Sequence, residues 1–476
     1  MAQAPTVALP KRLPLVLEPE NRAESTDKDA KLVNGYVEKD PDSEDYWIYK
    51  RPGLGGPVAS VTAAAGLGVY NWNGDIYAIF GATLYKNAVS IGTVGTTGGV
   101  YTFSSSLGAT PRLQLMNAVT AYNWDNTTLA PISGANFPGN TYATPAVKGI
   151  VYLDGSTFVL DAKSYIHGCD TPPGLNAPNL WTDVLNLLGA QIEPDRGIFL
   201  AKQLVYVLAV KEWSTEVFYN AQNPVGSLVL GPVQGAKLNY GCASADSVQE
   251  VDGSLIWLST NRSSAVQVIL VTALKPTVIS SKSIDRLLGQ ATFNTVYSFI
   301  IKYEGHIFYG VTLKDNNLTL VYDLVDKKWA QWTDASGNYF PIVSATFAGD
   351  HTRILQHETN GKLYDFDQSH TTDDGAVITV DMYTPNFDGG TRRRKQLTMM
   401  EFVADQTVGS SLEVRVNDSD YDPSKWTNFR YVDLSVKRPL LTNCGSFTRR
   451  AFHMRHAAST PLRIQAVELQ LDIGTL

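Results

Sequence analysis

The stretch YEGHIFYGVTLKDNNLTLVYDLVDKKWAQWT, Tyr303–Thr333, decides the fold. Two runs of alternating apolar residues flank a polar turn of Lys314, Asp315, Asn316 and Asn317, and the second run closes on Trp329 and Trp332. Period-two alternation sends successive side chains to opposite faces, so the segment predicts an antiparallel hairpin with a buried face. Similar phrases recur on either side of it. GDIYAIFGATLYKNA turns at Gly81, GIVYLDGSTFVLDAK at Asp154-Gly155, and RILQHETNGKLYDFDQ at Asn360-Gly361. An Asp-Gly pair between alternating runs is a strong hairpin signal, because such turns need positive φ. KQLVYVLAVKEWSTEVFYNA and DGSLIWLSTNRSSAVQVILVTA fit the same pattern. A row of hairpins, each burying a face on the next, predicts an all-β chain with a β-propeller-like body of about six or seven blades. Stacked sandwiches are the competing arrangement.

The 476 residues exceed what one ordinary core organises. With 44% hydrophobic and 18% charged residues, the bulk of the chain is expected to fold. Tyr (23) outnumbers Phe (17) and Met is scarce (6), a balance that favours strands. A net charge of −7 argues against a broad basic field for wrapping nucleic acid. Cys169, Cys242 and Cys444 lie far apart with no CxxC pair, which fits neither a disulfide framework nor a structural zinc site. The N-terminal stretch lacks the apolar core of a signal peptide, and no apolar run is long enough to span a bilayer.

Three domains are expected. Residues 1–50 form an N-terminal arm with short strands at Val33–Glu38 and Tyr46–Lys50. Residues 51–372 form the propeller-like domain. Residues 373–476, with short alternating strands at roughly ten-residue spacing, form a C-terminal β-sandwich. Few helices are predicted: Thr182–Ala190, capped by Thr182, and Ser283–Gln290, capped by Ser283. In the latter, Ile284 with Leu287 or Leu288 should face inward and Arg286 outward.

Catalytic motifs are missing: there is no GxSxG, GxxxxGK[ST], HExxH or helix-opening GxGxxG. Asp418, Asp420 and Asp422 alternate as in a calcium loop. Pro423 stands where that loop needs glycine, and Phe429 where it needs a bidentate carboxylate, so an acidic turn is the better reading. His351 and His357 lack a third ligand nearby, and Asp365 and Asp367 read as turn acids. No cofactor, metal or catalytic residue is assigned. Basic residues cluster at Arg392, Arg393, Arg394 and Lys395, and again at Arg449, Arg450 and Arg455. Strand alternation puts Arg449, His453 and Arg455 on one face and Arg450, Phe452, Met454 and His456 on the other. Arg392, Arg393, Arg394, Lys395, Arg449 and Arg455 are therefore the candidate contacts for an acidic partner, a neighbouring subunit or DNA phosphate.

The segment LNYGCASADSVQEVDGSLIWLSTNRSSAVQVILVTALKPTVISSKSIDRLL resembles the packaged-DNA stabilisation, or tail hub (nozzle), proteins of short-tailed bacteriophages. Gly241, Cys242, Ser244, Trp257, Leu258, Ile279, Ser280, Ser281 and Ile284 carry the likeness. Gly305, His306, Tyr309, Val321, Tyr322, Asp323 and Trp329 continue it, as do NGKLYDFD and the terminal RRAFHMRH…PLRIQAVELQLDI. Residues 1–30 and 90–150 share little of it. The resemblance implies a non-enzymatic virion tail component, made in the host cytoplasm and built as a homohexameric ring. That ring would extend the DNA channel below the head-to-tail adapter, carry a tailspike or tail fibre and a tail plug or needle, and let double-stranded DNA pass non-specifically. A carbohydrate-binding or carbohydrate-active propeller is the alternative, motivated by Trp and Tyr near turns; a hydrolase of that kind needs paired carboxylates in a central pocket.

Overall fold

The computed structural model describes residues 11–15, 18–19, 30–40, 45–106, 111–132, 134, 136–139, 144–170, 181, 187–223, 229–263, 266–349 and 352–474. Seven antiparallel blades surround one axis. Blade 1 comprises Gly66–Trp72, Asp75–Phe80, Thr83–Lys86 and Val89–Thr93; blade 2 comprises Thr102–Ser105, Leu113–Met116, Ala121–Trp124 and Leu129–Pro131. Blade 3 is Ala146–Leu153, Ser156–Asp161, Tyr165–Asp170 and Leu187–Gly189, and blade 4 is Gly197–Gln203, Tyr206–Lys211, Thr215–Asn220 and Leu230–Pro232. Gln249–Val251, Ser254–Ser259, Gln267–Thr272 and Lys275–Val278 make blade 5. Blade 6 is Val296–Tyr303, His306–Leu313, Leu318–Asp323 and Lys328–Gln331. Blade 7, Ile342–Phe347, Arg353–His357 and Lys362–Asp367, takes its outer strand from Gly53–Leu54 and Ala59–Ser60. That borrowed strand clasps the end of the ring to its beginning.

The turns sit where the sequence places them. Asp154 and Gly155 have φ of 47° and 91°, Asn317 has 50° and Gly361 has 73°. In blade 6, alternation divides the side chains between two seams. Val321 and Trp332 pack toward blade 7 with Tyr364 and Phe366. Tyr322 and Trp329 pack toward blade 5 with Ile256 and Leu258. Gly310 lies opposite Phe299, and a Cβ there would meet the ring at 2.1 Å, so only glycine lets that ring lie across the strand.

Helix α1, Lys282–Gly289, fills the seam between blades 5 and 6 with Ile284, Leu287 and Leu288, while Arg286 points outward. Its N-cap is Ser281 rather than Ser283: the Ser281 hydroxyl accepts from Ile284 N at 3.3 Å. The helix expected at Thr182–Ala190 is corrected too. Leu187–Gly189 is the outer strand of blade 3, paired with Tyr165–His167, because a blade edge offers hydrogen bonds that outweigh local helix propensity; Thr182–Asn186 lie outside the described residues.

A sandwich of two sheets accompanies the propeller. One sheet runs Lys31–Val33, Val380–Tyr383, Ala451–His456, Ser411–Asn417 and Arg430–Asp433, and is continuous with blade 6 through Val33 and Gln331. The other holds Gly35–Lys39, Tyr46–Lys50, Arg463–Ile473, Lys395–Ala404 and Leu440–Thr442, with Lys11–Arg12 and Ser446–Phe447 added. Leu13, Leu15, Leu32 and Ile48 share its core with Met382, Met400, Phe452 and Met454. Residues 11–15, 31–40 and 45–50, read from sequence as part of an arm with short strands, are thus built into the sandwich. Where the bodies meet, buried Arg51 donates to Asp373 (3.0 Å), Asn34 Oδ1 (3.0 Å) and Thr333 O (3.0 Å), with its guanidinium 4.6 Å from the Phe340 ring centre.

Candidate functional site

Two surfaces are the candidates: the propeller axis and the basic end of the sandwich. The first strand of every blade lines an axial cavity of about 580 Å³. Its charged groups are engaged across blades. Lys148 of blade 3 pairs with Asp246, ahead of blade 5, and Lys302 of blade 6 pairs with Asp252 of the blade 5 turn. Lys202 of blade 4 donates to Tyr152 O of blade 3 at 3.1 Å and attracts Glu250. Burial pushes the Asp246 and Glu250 carboxyls up, against the pull of their lysines. This is the chemistry of a cross-braced hub. Sequence reasoning missed it, since nothing local marks which lysine faces the axis.

Arg392, Arg393 and Arg394 are exposed in the loop before Lys395–Ala404. Arg394 Nε donates to Ser446 Oγ at 2.9 Å. Lys395 does not join this surface. It is 0% exposed, and its ammonium donates to the carbonyls of Thr391 (2.7 Å), Arg393 (2.7 Å) and Thr448 (3.0 Å), so it shapes the loop that presents the three arginines. Burial lowers its pKa. Pairing of Lys395 with Phe447 brings Arg449 and Arg450 to the same end of the sandwich. There Arg449 pairs with Asp420, and Arg450 forks onto Asp418 at 2.7 and 2.8 Å. The alternating acids of the calcium-like stretch are therefore engaged with arginines and, at Asp422, with the Ser424 N–H (2.9 Å).

Arg455 lies elsewhere. Six residues, at most about 20 Å of extended chain, separate it from Arg449, and its Nε donates to Asp381 at 2.9 Å. The strand's far end faces the propeller, where Thr371 Oγ1 donates to Ser459 O (3.0 Å) and Lys50 Nζ to Ala458 O (2.8 Å). The face alternation holds, with Phe452, Met454 and His456 inward. Yet His453 on the outer face is fully covered, under a Tyr383 ring stacked at 3.9 Å. Residues 373–476 hold 13 Lys and Arg against 13 Asp and Glu, so the whole −7 resides in residues 1–372.

The remaining sequence candidates are structural. Asp367 accepts from Ser369 N (2.9 Å), and Asp365 lies 3.4 Å from His370. His357 Nδ1 accepts from Thr359 N (3.1 Å), and burial lowers its pKa; His351 lies outside the described residues. The residues that carried the family likeness form joints between blades. Trp257 Nε1 donates to Gly241 O (2.7 Å), Tyr309 O–H to Ser247 O (2.8 Å) and Trp329 Nε1 to Ile279 O (3.1 Å). A Cβ at Gly241 would meet Glu212 O at 2.2 Å. Burial pushes the Cys242 thiol up to about 12, which keeps it protonated and unreactive.

Residues 32–370 match the phage stabilisation family described as bacteriophage P22 Gp10, β-propeller. The chain belongs to this family. It is a phage protein of structural, stabilising role, associated with the virion. No curated protein matches it. Among solved structures it is similar to the computationally designed Ika8 protein, at 9% identity and a TM-score of 0.40, covering 66% of this chain and 99% of that one. BamB from Moraxella catarrhalis is similar at 9% identity and a TM-score of 0.37, covering 66% of this chain and 94% of that one.

Proposed function

We propose that this protein is the tail nozzle of a short-tailed phage virion, a ring of six copies that extends the DNA channel below the adapter, helps retain the packaged genome and guides its ejection. The family match over residues 32–370 carries the reading. In it, the propeller and the sandwich, which joins residues 11–15, 31–40 and 45–50 to residues 373–474, are the two working parts, and neither is an enzyme. The adapter docks at one end of the ring, tailspikes or fibres attach outside, and a plug or needle closes the tip. Arg392, Arg393, Arg394, Arg449 and Arg455 contact the adapter, a neighbouring copy or the channel.

The axial cavity supports a ring. B-form DNA has a major groove about 12 Å wide, so a duplex does not fit in about 580 Å³ braced by ion pairs between blades. The DNA path therefore runs between copies. Retention is steric in this reading, because each Lys or Arg that neutralises a phosphate strengthens holding by releasing counterions, and a sliding duplex must not be gripped. Particles assembled without the protein should package DNA and then lose it. Particles that keep their genome without it would overturn the proposal.

A further inference from the structure

We propose that His306, Asp323 and Asp326 form a binding site for a divalent transition-metal ion, Zn²⁺ foremost, at the joint between blade 6 and the paired strands Gly35–Lys39 and Tyr46–Lys50. The inference stands apart from the family reading and does not depend on it.

The three residues come from the same end of blade 6. His306 opens the second strand after the Glu304-Gly305 turn, Asp323 ends the third, and Asp326 lies in the next turn. Strand pairing of Phe308 with Asp323 brings them together although 17 and 3 residues separate them in sequence. Their ligand atoms all lie within 4.8 Å of one another. His306 Nδ1 is 2.6 Å from Asp323 Oδ2 and 3.5 Å from Asp326 Oδ2. Zinc–ligand bonds of about 2.0–2.2 Å place neighbouring ligand atoms about 3.3 Å apart in a tetrahedron. The two observed separations bracket that value, so small side-chain rotations suffice.

The carboxylates are held as metal ligands are held. Asp323 Oδ1 accepts from Val325 N at 2.9 Å, and Asp326 Oδ1 accepts from Lys39 N at 3.2 Å. Each acid is thereby fixed through one oxygen and directs the other at the same imidazole nitrogen, which is how outer partners orient ligands. Side-chain exposures are 8% for His306, 4% for Asp323 and 13% for Asp326. Two carboxylates so far from water call for more than one positive charge. Glu38 adds a third negative charge nearby, and among the described residues no Lys or Arg pairs with Asp323 or Asp326. The Tyr36 ring edge at 5.0 Å and the Phe308 ring stacked at 5.5 Å wall the site with apolar surface. His306 also lines an open pocket with Lys302, Glu304 and Arg353, which gives an ion a way in.

One imidazole nitrogen and two carboxylate oxygens favour Zn²⁺ over Mg²⁺ or Ca²⁺, with water as the fourth ligand. On binding, the proton held between His306 Nδ1 and Asp323 Oδ2 leaves to solvent and the ion takes its place. All three ligands belong to blade 6, and the Lys39 N–H bond to Asp326 places the ion beside a strand of the sandwich.

The test uses the full-length, tag-free protein, loaded with Zn²⁺, passed over a desalting column and assayed for metal by mass spectrometry. One zinc per chain is expected. Asp326→Asn keeps an acceptor for Lys39 N and, as loss of a direct ligand charge, should lower zinc affinity by at least the about ten- to hundredfold that loss of an outer partner costs. Zinc should raise the melting midpoint of the wild type and not of this variant. Should the variant fail to fold, Co²⁺ added to the wild type gives an independent reading, the visible absorption of a tetrahedral nitrogen and oxygen site. Wild-type protein that retains no zinc, or retains as much as Asp326→Asn does, overturns the proposal. So does the absence of a tetrahedral cobalt spectrum.

Discussion

The propeller and the sandwich use the same period-two strands and assemble them in opposite ways. Each of blades 1 to 6 pairs strands that follow one another in the chain, and one distant clasp, residues 53–60 on blade 7, closes the ring. The sandwich draws residues 11–15, 31–40 and 45–50 together with residues 380–473, so most sheet partners are distant. Local pairing is cheap in loop entropy and distant pairing is not. The sandwich should therefore be the slower part to form and the easier part to release. The family match, which ends at residue 370, covers the locally built body.

The largest expected effect lies in the propeller. Trp329 is 3% exposed, packs on Tyr322 at 4.8 Å and bonds Ile279 O. Trp329→Ala should cost about 3–5 kcal/mol and give insoluble or unincorporated protein. Equilibrium denaturation with an unchanged midpoint would break the view that the blade 5–6 seam holds the ring.

Acid should separate the two bodies next. His456 is fully buried in the sandwich beside Lys50, its Nδ1 has no partner, and burial first, then Lys50, lower its pKa to about 4. Its neutral form is favoured in the folded state, so this contribution is present above the unfolded value near 6.5 and is lost as pH falls toward 4. The full shift corresponds to about 3 kcal/mol. Lys50, lowered to about 8 mainly by burial, acts in the same direction between pH 8 and its ordinary 10.5. Melting curves between pH 7 and pH 4 should show the sandwich transition moving down more than the propeller transition. His456→Gln should flatten that difference. Parallel movement of both transitions would remove histidine burial as its source.

Leu13→Ala should cost about 2 kcal/mol and act on the sandwich alone. Leu13 is 3% exposed in the sandwich core, and its N–H bonds Val467 O at 2.8 Å. Hydrogen exchange should quicken in Arg463–Ile473 and stay unchanged in blades 1 to 5. Equal quickening throughout would show the two bodies to be one cooperative unit.

The smallest effect is expected at the basic end. Neutralising Arg392, Arg393 and Arg394 together should move stability by no more than about 0.5 kcal/mol, since all three are exposed. Binding of the isolated protein to duplex DNA near physiological salt should be weak before and after. Tight binding that the triple variant abolishes would make this end a DNA clamp and would break the steric account of retention.

Much of the body was legible because its information is local. Alternation across Tyr303–Thr333 fixed which side chains lie in which seam, and Asp154-Gly155 and Asn360-Gly361 marked turns by the φ they tolerate. The likeness of blades 5 and 6 to a phage family rested in part on Trp257 and Trp329, whose indoles bond the carbonyls of Gly241 and Ile279, and on Ser281, which caps α1. Less of the candidate sites could be read. Arg392–Arg394 looked exposed and are, while Lys395, next in the same run, is buried on three carbonyls that no pattern announces.

Sequence alone determined the central hairpins of most blades, their turns, the burial of Trp329 and the family, because alternation and turn chemistry act between near neighbours. Tertiary structure decided that Leu187–Gly189 pairs as an edge strand, that Ser281 caps α1, that residues 31–40 and 45–50 join the sandwich, and that His306, Asp323 and Asp326 converge. Each of these depends on which distant backbone or charge is available as a partner. That availability is settled only when the whole chain has competed for its hydrogen bonds and its buried volume.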